Sequence, residues 1–404
     1  MYQQLGLRLT YHPTQQKVRV QALPGADPYG EMVGVRGGHT NHFIDERRAA
    51  ARAHLWRQLP DGVPASTYAG GVSMGATVVL RVDGTITVAH SGKEQAEGTF
   101  KHSFGFHSLG VWVDNTGELA GLMPRPGGAG SNTAADLIDV LRQAIAQIPT
   151  DRRGDLLITC DGAGASHALI DWVDSLGRVP GRRVQYSVGF DVDDAVRAAA
   201  NRRRDQWWLP CLSNTTGDLV EGLECTEITD LLQARLDDLG WPATMRVIVR
   251  RRRLYDDEQP TLFDTNGYRY SCFVTDTPVT GPHGLGVQYV DARHRVHARV
   301  EDRVRTTQDT GLGRLPSKSW AVNKAWCAAI TIAVDLLAWL RLYALTGTLA
   351  KAEPKTLRYR LLYTPARLIR ARRYRWLRLP RTWPWATQLA TAIERIRRMP
   401  MPAT

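Results

Sequence analysis

The sequence predicts an α/β fold in which helices pack on a mixed sheet, and three observations lead to this prediction. DLLITC at 155–160 is a short, almost continuous apolar run, which is typical of a strand buried on both faces. ATVVLRVD at 76–83 alternates as a strand does, and VQYSVGF at 184–190 is a further buried strand. Helical segments separate these runs, an order that is typical of the α/β class.

Size, charge and cysteine content narrow the possible functions. The chain has 404 residues, 43% of them apolar, which is enough for two or three domains with a sizeable core. Its net charge of +12 suggests a polyanionic partner such as nucleic acid. Five cysteines without a C-x-x-C pair argue against a disulfide framework and a zinc site and indicate a reducing cytoplasm. The apolar run 326–345 contains Asp335 and Arg341, so we expect a buried helix and no membrane span.

The elements before and around the first clear strand are weakly marked. LRLTYHP and KVRVQAL are compatible with short strands, and 45–59 predicts a short basic helix. In ATVVLRVD, Asp83 is expected near the far end of the strand, before a second alternating run at 85–90. Asp-Gly is also a hairpin signal, so a turn aspartate is the alternative.

A hairpin and a helix are predicted next. Residues 108–113 and 118–123 flank DNTG, which reads as a hairpin turn. The glycine-rich RPGGAGSN follows, and Ser131 or Asn132 is expected to cap a helix that runs to about residue 147.

The buried strand 155–160 ends in Asp161, ahead of a helix predicted from about residue 165. Open α/β sheets place their ligands at the carboxyl ends of such strands. Asp161 is therefore a candidate for chemistry, and a capping or turn aspartate is the alternative.

After a β-rich block at 207–279, which reads as an insertion, the stretch 294–317 begins as a helix. Valines every four residues make an apolar stripe, and Glu301 lies beside that stripe among many arginines. In this position the carboxylate can bind a metal ion while the surrounding cations bind a polyanion. The alternative is a solvated helix whose glutamate pairs with its arginines.

The C-terminal part combines an apolar helix with a basic tail. A long amphipathic helix is predicted at 321–345, and Glu394 is the only acidic residue in the arginine-rich tail 355–398. Arginines interleaved with Tyr and Trp suit phosphate contact and stacking on bases. Packing of those aromatics on the core is the alternative.

Three acids therefore stand out, namely Asp83, Asp161 and Glu301. Two aspartates on neighbouring strands and a helical carboxylate can converge on two Mg²⁺ ions, since hard cations prefer oxygen ligands. Spacing alone does not select these three from 40 acidic residues.

At this point the chain resembles a known family, the bacterial insertion-sequence transposases of the DDE type (transposase DDE domain group 1). The resemblance runs from about residue 52 to 385. It is carried by VDGTITVAHSGKE (82–94), FGFHSLGVWVDNTGE (104–118), RPGGAGSNTAADLI (125–138), CDGAGASHALIDWV (160–173), YSVGF (186–190), RVIVRR (246–251), HARVEDRVRTTQDTGLGRLPS (297–317), NKAWCAAITIAVDLLAW (323–339) and TWPWA (382–386).

The resemblance implies a ribonuclease-H-like mixed sheet interrupted by a β-rich insertion and followed by a helical, basic C-terminal region. It implies Asp83, Asp161 and Glu301 as catalytic, metal-binding residues, with two Mg²⁺ ions for which Mn²⁺ can substitute. The neighbouring Asp302 points about 100° away on an ideal helix and is the less favoured ligand. The implied partners are double-stranded DNA, as terminal inverted repeats and target, and a second copy on paired ends. No membrane and no nucleotide cofactor are expected.

The chain also departs from the family. Related transposases often carry a Tyr–Arg–Glu–Lys pattern around the last carboxylate, where this chain has His294, His297, Glu301 and Gln308. The final cation near the cut phosphate is thus missing, and a protonated His297 would replace part of the arginine. In such relatives an insertion-domain Trp can hold a flipped base, and Trp207 or Trp208 is the candidate here. A core aromatic is the alternative. The residues expected to contact DNA are His90, Lys93, Trp207, Trp208, His294, His297, Arg299, Arg303, Arg305 and Gln308.

The sequence thus predicts a DNA transposase of an insertion sequence, bacterial, cytoplasmic and nucleoid-associated, that cleaves transposon ends and joins them to target DNA. One alternative is a decayed, N-terminally truncated transposase that binds DNA without transposition, since 1–46 does not look like the family's helical N-terminal domain. Another is a ribonuclease-H-like nuclease. The expected units are 1–62 (atypical N-terminal segment), 63–200 (first part of the core), 201–287 (insertion), 288–317 (last core helix) and 318–404 (helical basic region).

Overall fold

The computed structural model describes residues 7–12, 17–22, 39–90, 92–129, 133–162, 165–255, 257–259, 264–371 and 374–400. Its strands are β1 Leu7–His12, β2 Lys17–Ala22, β3 Thr67–Tyr68, β4 Val72–Ser73, β5 Val78–Val88, β6 Glu97–Gly98, β7 Phe104–Val113, β8 Leu119–Met123, β9 Asp155–Cys160, β10 Arg183–Phe190, β11 Leu209–Leu212, β12 Leu219–Glu227, β13 Arg246–Arg253, β14 Tyr268–Thr275, β15 Arg367–Ala371 and β16 Tyr374–Arg378. Its helices are α1 His39–Arg57, α2 Ala134–Gln147, α3 His167–Gly177, α4 Asp194–Arg202, α5 Thr229–Asp238, α6 Val287–Arg295, α7 Val300–Thr307, α8 Trp320–Tyr343, α9 Gly347–Ala350, α10 Pro354–Leu357 and α11 Ala386–Arg398.

One ten-stranded mixed sheet organises the chain. At its centre β9 runs parallel to both β5 and β10, and β7 pairs antiparallel with β5. The hairpin predicted from the DNTG turn is β7–β8. On the other side β10 pairs antiparallel with β14, and β13, β12 and β11 follow. The predicted mixed α/β sheet with helices is therefore present.

Alternation along the central strands separates two cores. Leu80 and Val82 on β5, like Leu156 and Ile158 on β9, pack into the larger core beneath α2 and α3. The residues between them point to the opposite face, where α6, α7 and α8 lie. A second apolar cluster there joins Trp112 and Leu119 to Val300. The sheet thus has helices on both faces, and the acidic side chains at issue belong to the second face.

Some predicted elements differ in detail. β5 continues through Gly84, which pairs with Leu109, so Asp83 lies in the middle of one long strand and not in a turn or at the strand's end. Helix α2 is capped by Thr133, whose side chain accepts the backbone N–H of Asp136. The predicted caps, Ser131 and Asn132, lie outside the described residues.

The β-rich block is more closely joined to the core than the term insertion suggests. The block was predicted to be β-rich and contains β13 and β14, and β14 pairs directly with β10 of the central sheet. It also contains the helix α5, whose Leu232 and Leu236 join the larger core. The block therefore extends the central sheet and shares its core.

The C-terminal region is not wholly helical. The strands β15 and β16 form an antiparallel hairpin between α10 and α11. The sequences RLIRA and YRWLR contain isoleucine, tyrosine and tryptophan, residue types that are enriched in strands. This corrects the expectation of a helical tail.

A buried ionic cluster ties α1 to α8. Arg52 Nε donates to Glu118 at 2.8 Å, and Arg52 Nη2 donates to Asp335 at 2.8 Å, with all three side chains inaccessible to solvent. Arg48 also binds Asp335. Helix α8 is long and apolar enough to cross a membrane. Its Asp335 is buried and paired with Arg48 and Arg52, as is usual for a carboxylate on an internal helix.

Candidate active site

Asp83 and Asp161 lie side by side where β9 ends next to β5. In the parallel pairing of β5 and β9, Val82 stands opposite Cys160. The next residue on each strand is an aspartate, and alternation turns both carboxylates away from the larger core. Asp161 is exposed directly after β9, whereas Asp83 is partly buried within β5.

Glu301 reaches the same face from the first turn of α7. Helix α6 passes through a short 3-10 segment, Val296–Arg299, into α7, which packs on β5 and β7. Val296 and Val300 of the predicted stripe are buried, and Val304 packs against the second cluster. This leaves the Glu301 side chain exposed.

The charges of Asp161 and Glu301 both act on Asp83. Burial first, and the charges of these two carboxylates in addition, raise the pKa of Asp83 to about 6. Their oxygens do not all lie within 4.8 Å of one another. Divalent cations fit this donor set, because a cation would offset the repulsion and hard cations prefer carboxylate oxygens.

The raised pKa of Asp83 predicts an unusual pH dependence of stability. A carboxyl whose pKa is higher folded than unfolded makes the metal-free protein less stable as the pH rises from about 4 to 6. We expect Asp83→Asn in EDTA to be more stable than the wild type at pH 7, by at most about 3 kcal/mol, with a smaller difference at pH 5. Urea unfolding of both proteins at the two pH values measures this. If the difference in the free energy of unfolding between the two proteins were the same at pH 5 and pH 7, the raised pKa of Asp83 would be contradicted.

A hydrogen-bonded network lies next to the segments that carry Asp83, Asp161 and Glu301. It was not predicted from the sequence. Arg81, two residues before Asp83 on the same face, forms a bidentate pair with Asp114 at 2.8 and 3.0 Å. The hydroxyl oxygen of Thr159 forms a hydrogen bond with Nδ1 of His297, with the two atoms 2.9 Å apart. These contacts fasten the segment before α7 to β5 and β9. Side chains alternate between the two faces along β5, and this pattern places Arg81 on the same face as Asp83. The sequence alone could therefore have identified Arg81.

The structure does not support DNA contact by His294 and His297, and this corrects the prediction. His294 stacks on Phe273 with the ring centroids 4.1 Å apart, and its Nδ1 lies 2.9 Å from the Ser187 hydroxyl. Burial lowers the pKa of His297 to about 3 and that of His294 well below its usual value. Both rings are therefore neutral and face the sheet, so a protonated His297 does not replace an arginine.

The other predicted DNA contacts fall into two groups. His90 and Arg305 are exposed, and Arg305 pairs with Asp302 at 2.6 Å. The other four side chains are only partly exposed, and each donates to another part of the protein or lies against it. Lys93 binds the carbonyl of Leu315, Arg299 binds that of Thr67 at 2.8 Å, the Arg303 guanidinium lies over Gly117, and Gln308 Nε2 donates to the Thr85 hydroxyl at 2.8 Å.

The two adjacent tryptophans have different surroundings. Trp208 is 5% exposed and lies under the guanidinium of Arg251, 4.2 Å from its ring centroid. Trp207 is 57% exposed. Trp208 is thus a core residue, and Trp207 is the one able to stack on a base.

A separate cluster brings together residues that are far apart in sequence. Among the described residues, Cys211, Cys225 and Asp291 form the one group of three metal-ligand types with ligand atoms within 4.8 Å of one another. Asp291 is already paired with Arg295 at 2.7 Å and Arg250 at 3.3 Å. All three members are buried, and the two arginines already neutralise the carboxylate. This cluster is therefore interpreted as part of the core.

Comparisons with known proteins identify a family. The model of a family described as transposase DDE domain group 1 matches residues 44–401. Among solved structures, the chain is similar to a piggyBac transposase synaptic complex with hairpin DNA, at 11% identity and a TM-score of 0.36. That match covers 65% of this chain and 46% of the other, so the chain spans less than half of that transposase. No curated protein matches.

Proposed function

The chain belongs to the transposase DDE domain group 1 family, and we propose that it is a divalent-metal-dependent transposase acting on double-stranded DNA. The family prediction made from the sequence motifs is thereby confirmed, and membership supports an enzyme of the polynucleotidyl transferase or nuclease type. The observation that carries the proposal is the register of β5 and β9, which sets Asp83 beside Asp161, with Glu301 near enough to raise the pKa of Asp83. The bacterial insertion-sequence origin stays a prediction.

We also propose that the central strands form a ribonuclease-H-like core. In chain order β5, β7, β8, β9 and β10 are the five core strands, with β7 antiparallel to β5 and the last two parallel to it. This places Asp83 on the first strand and Asp161 after the fourth, as the family resemblance implies. A β-rich segment then precedes the helix that carries Glu301.

Asp83, Asp161 and Glu301 would hold two Mg²⁺ or Mn²⁺ ions through carboxylate oxygens. Such ions, when bound, polarise a phosphodiester and lower the pKa of water. The role of the surrounding residues is to position these carboxylates. The Arg81–Asp114 pair and the His297–Thr159 hydrogen bond hold the strand and helix that carry the carboxylates. Because the pKa values of His294 and His297 are lowered, neither ring adds a positive charge there.

The proposed substrate is the end of a transposon, cleaved to a 3′-hydroxyl that then attacks target DNA. The chain's net charge of +12 supports a polyanionic partner. A homodimer on paired DNA ends is part of the proposal because the family resemblance implies it.

The test uses the full chain and labelled duplexes that span both borders of the DNA segment encoding it. We expect nicking at a border in Mg²⁺ or Mn²⁺ but not in EDTA. Binding without nicking would contradict the proposal and favour the decayed transposase. Cleavage of RNA–DNA hybrids without strand transfer would favour the nuclease.

Trp207→Ala is expected to weaken binding to these duplexes by about fivefold or more, since one stacked base contributes about 1–3 kcal/mol. The exposure of Trp207 predicts that the free energy of unfolding stays within about 0.5 kcal/mol of the wild type. Fluorescence anisotropy and urea unfolding measure the two quantities. Unchanged binding would show that Trp207 does not stack on DNA.

A further inference from the structure

The loop 313–319 precedes α8, and side chains from other elements hold its backbone in place. The amide of Asn323 on α8 accepts from the N–H of Ser317 and donates to the carbonyl of the same residue, both at 3.0 Å. Asn323 has no contact with solvent. The Lys93 ammonium binds the carbonyl of Leu315. The middle of the loop is therefore fixed by two side chains that lie outside it.

Glu94 fixes the end of the loop against the sheet. Its backbone N–H donates to the carbonyl of Lys318 at 2.9 Å, and its carboxylate accepts the backbone N–H of Trp320 at 2.7 Å. The ring of Trp320 stacks on that of Phe106 of β7, with the ring centroids 5.6 Å apart. The loop thus has one defined position relative to the central sheet.

The chain that leads into the loop follows the active-site face of β5. Thr85 and Thr87 come two and four residues after Asp83 and share its face of the strand. Gln308 Nε2 donates to the Thr85 hydroxyl at 2.8 Å, and the Thr87 hydroxyl donates to the carbonyl of Leu312 at 3.0 Å. The loop therefore begins about 13 Å along β5 from Asp83, on the same face of the sheet.

Beyond Asp83, β5 has a neighbouring strand on one side only. β9 pairs with β5 as far as Val82, which stands opposite Cys160. Within the described part of the chain, residues 84–88 of β5 pair with β7 alone. No strand covers the other edge of β5 there, and this edge starts beside Asp161. A DNA strand bound at the two aspartates can therefore follow the uncovered edge towards the loop.

The loop carries two cations that are available to a ligand. Arg314 and Lys318 are exposed, and their side chains form no salt bridge or hydrogen bond with the residues that the structure describes. Neighbouring carboxylates have other partners, since Glu94 binds the start of α8 and Asp309 pairs with Lys355 at 2.9 Å. An arginine guanidinium can hold a phosphate through two N–H groups at once.

We propose that the loop 313–319 binds the backbone of the DNA strand that leaves the carboxylates along β5. Arg314 and Lys318 each bind a phosphate of that strand. The distance of about 13 Å along β5 corresponds to about four nucleotides of duplex rise. This inference rests on the proposed function, because it assigns a further contact to the same substrate. Since the loop is already held in place, little conformational freedom is lost when the phosphates bind.

The first test measures how binding of the border duplexes depends on salt. Fluorescence anisotropy with the full chain in Ca²⁺ follows binding without cleavage. Each phosphate contact contributes about 0.9 to the slope of log affinity against log salt concentration, so Arg314→Met and Lys318→Met should each lower it by about that amount. Arg182→Met is the control, because Arg182 is exposed before β10, at the opposite end of the parallel strands from Asp161. Unchanged slopes in both loop variants, or an equal decrease in Arg182→Met, would overturn the proposal.

The second test locates the phosphates. Single phosphates of the border duplexes are replaced by neutral methylphosphonates across one helical turn on each side of the border. We expect a replacement a few nucleotides from the border to weaken wild-type binding about tenfold and to have no further effect on Arg314→Met.

Nicking of the unmodified duplexes in Mg²⁺ is measured on the same proteins. If the wild type shows this dependence on Arg314 but does not nick, the cleavage proposal fails and the phosphate contact stands. Nicking without any phosphate whose effect depends on Arg314 or Lys318 would overturn the contact and leave the proposed function intact. Absence of binding to either border duplex would overturn both.

Discussion

Asp161→Asn is expected to reduce metal-dependent cleavage by about three orders of magnitude or more, because bound metal ions contribute several kcal/mol to such reactions. Asparagine keeps the size of the side chain and removes its negative charge. Asp161 is exposed at the end of β9, so the fold does not depend on its burial. Cleavage of labelled border DNA and Mn²⁺ binding are the two measurements, and we expect both to fall together.

Asp302→Asn is the matched control for this prediction. Asp302 follows Glu301 on α7, is exposed, and pairs with Arg305 on the helix surface. The same chemical change there is expected to leave cleavage and Mn²⁺ affinity near the wild-type values. Glu301→Gln should instead behave like Asp161→Asn. If Asp302→Asn abolished cleavage while Glu301→Gln did not, the assignment of the third carboxylate would be wrong.

Periodicity in the sequence identified the strands and the faces that lead to the site. The apolar run 155–160 marked β9, and its position made Asp161 a candidate without any knowledge of its neighbours. The valine stripe predicted that α7 would turn Val300 inward, which leaves Glu301 on another face. These inferences hold because they depend on local patterns with a fixed period.

Tertiary contacts explain what the sequence did not predict. The histidines beside Glu301 were expected on DNA, but the 3-10 segment between α6 and α7 turns His297 towards Thr159. The pairing of Arg52 with Asp335 joins residues 283 positions apart and leaves no local pattern.

The buried cluster around Arg52 predicts the largest effect on stability. Its guanidinium binds Glu118, Asp335 and the side chain of Gln147, each at 2.8 Å, without solvent contact. Arg52→Met keeps the bulk of the side chain but leaves two buried carboxylates with fewer partners. We expect the free energy of unfolding, measured with urea, to fall by about 3–5 kcal/mol. Docking of α1 against α8 depends on this residue, so helix α1 should become more susceptible to proteolysis.

Two further variants separate lost charge pairing from lost packing. Arg57→Met makes the same substitution on the exposed side of α1 and is expected to change stability by less than about 0.5 kcal/mol. Adding Glu118→Gln to Arg52→Met removes one unpaired carboxylate, and the double variant should be more stable than Arg52→Met alone. Glu118 also accepts from Trp56 at 2.8 Å and Trp339 at 2.6 Å, so the recovery is expected to be partial. Equal stability of Arg52→Met and Arg57→Met would show that the ionic cluster does not hold α1 in place.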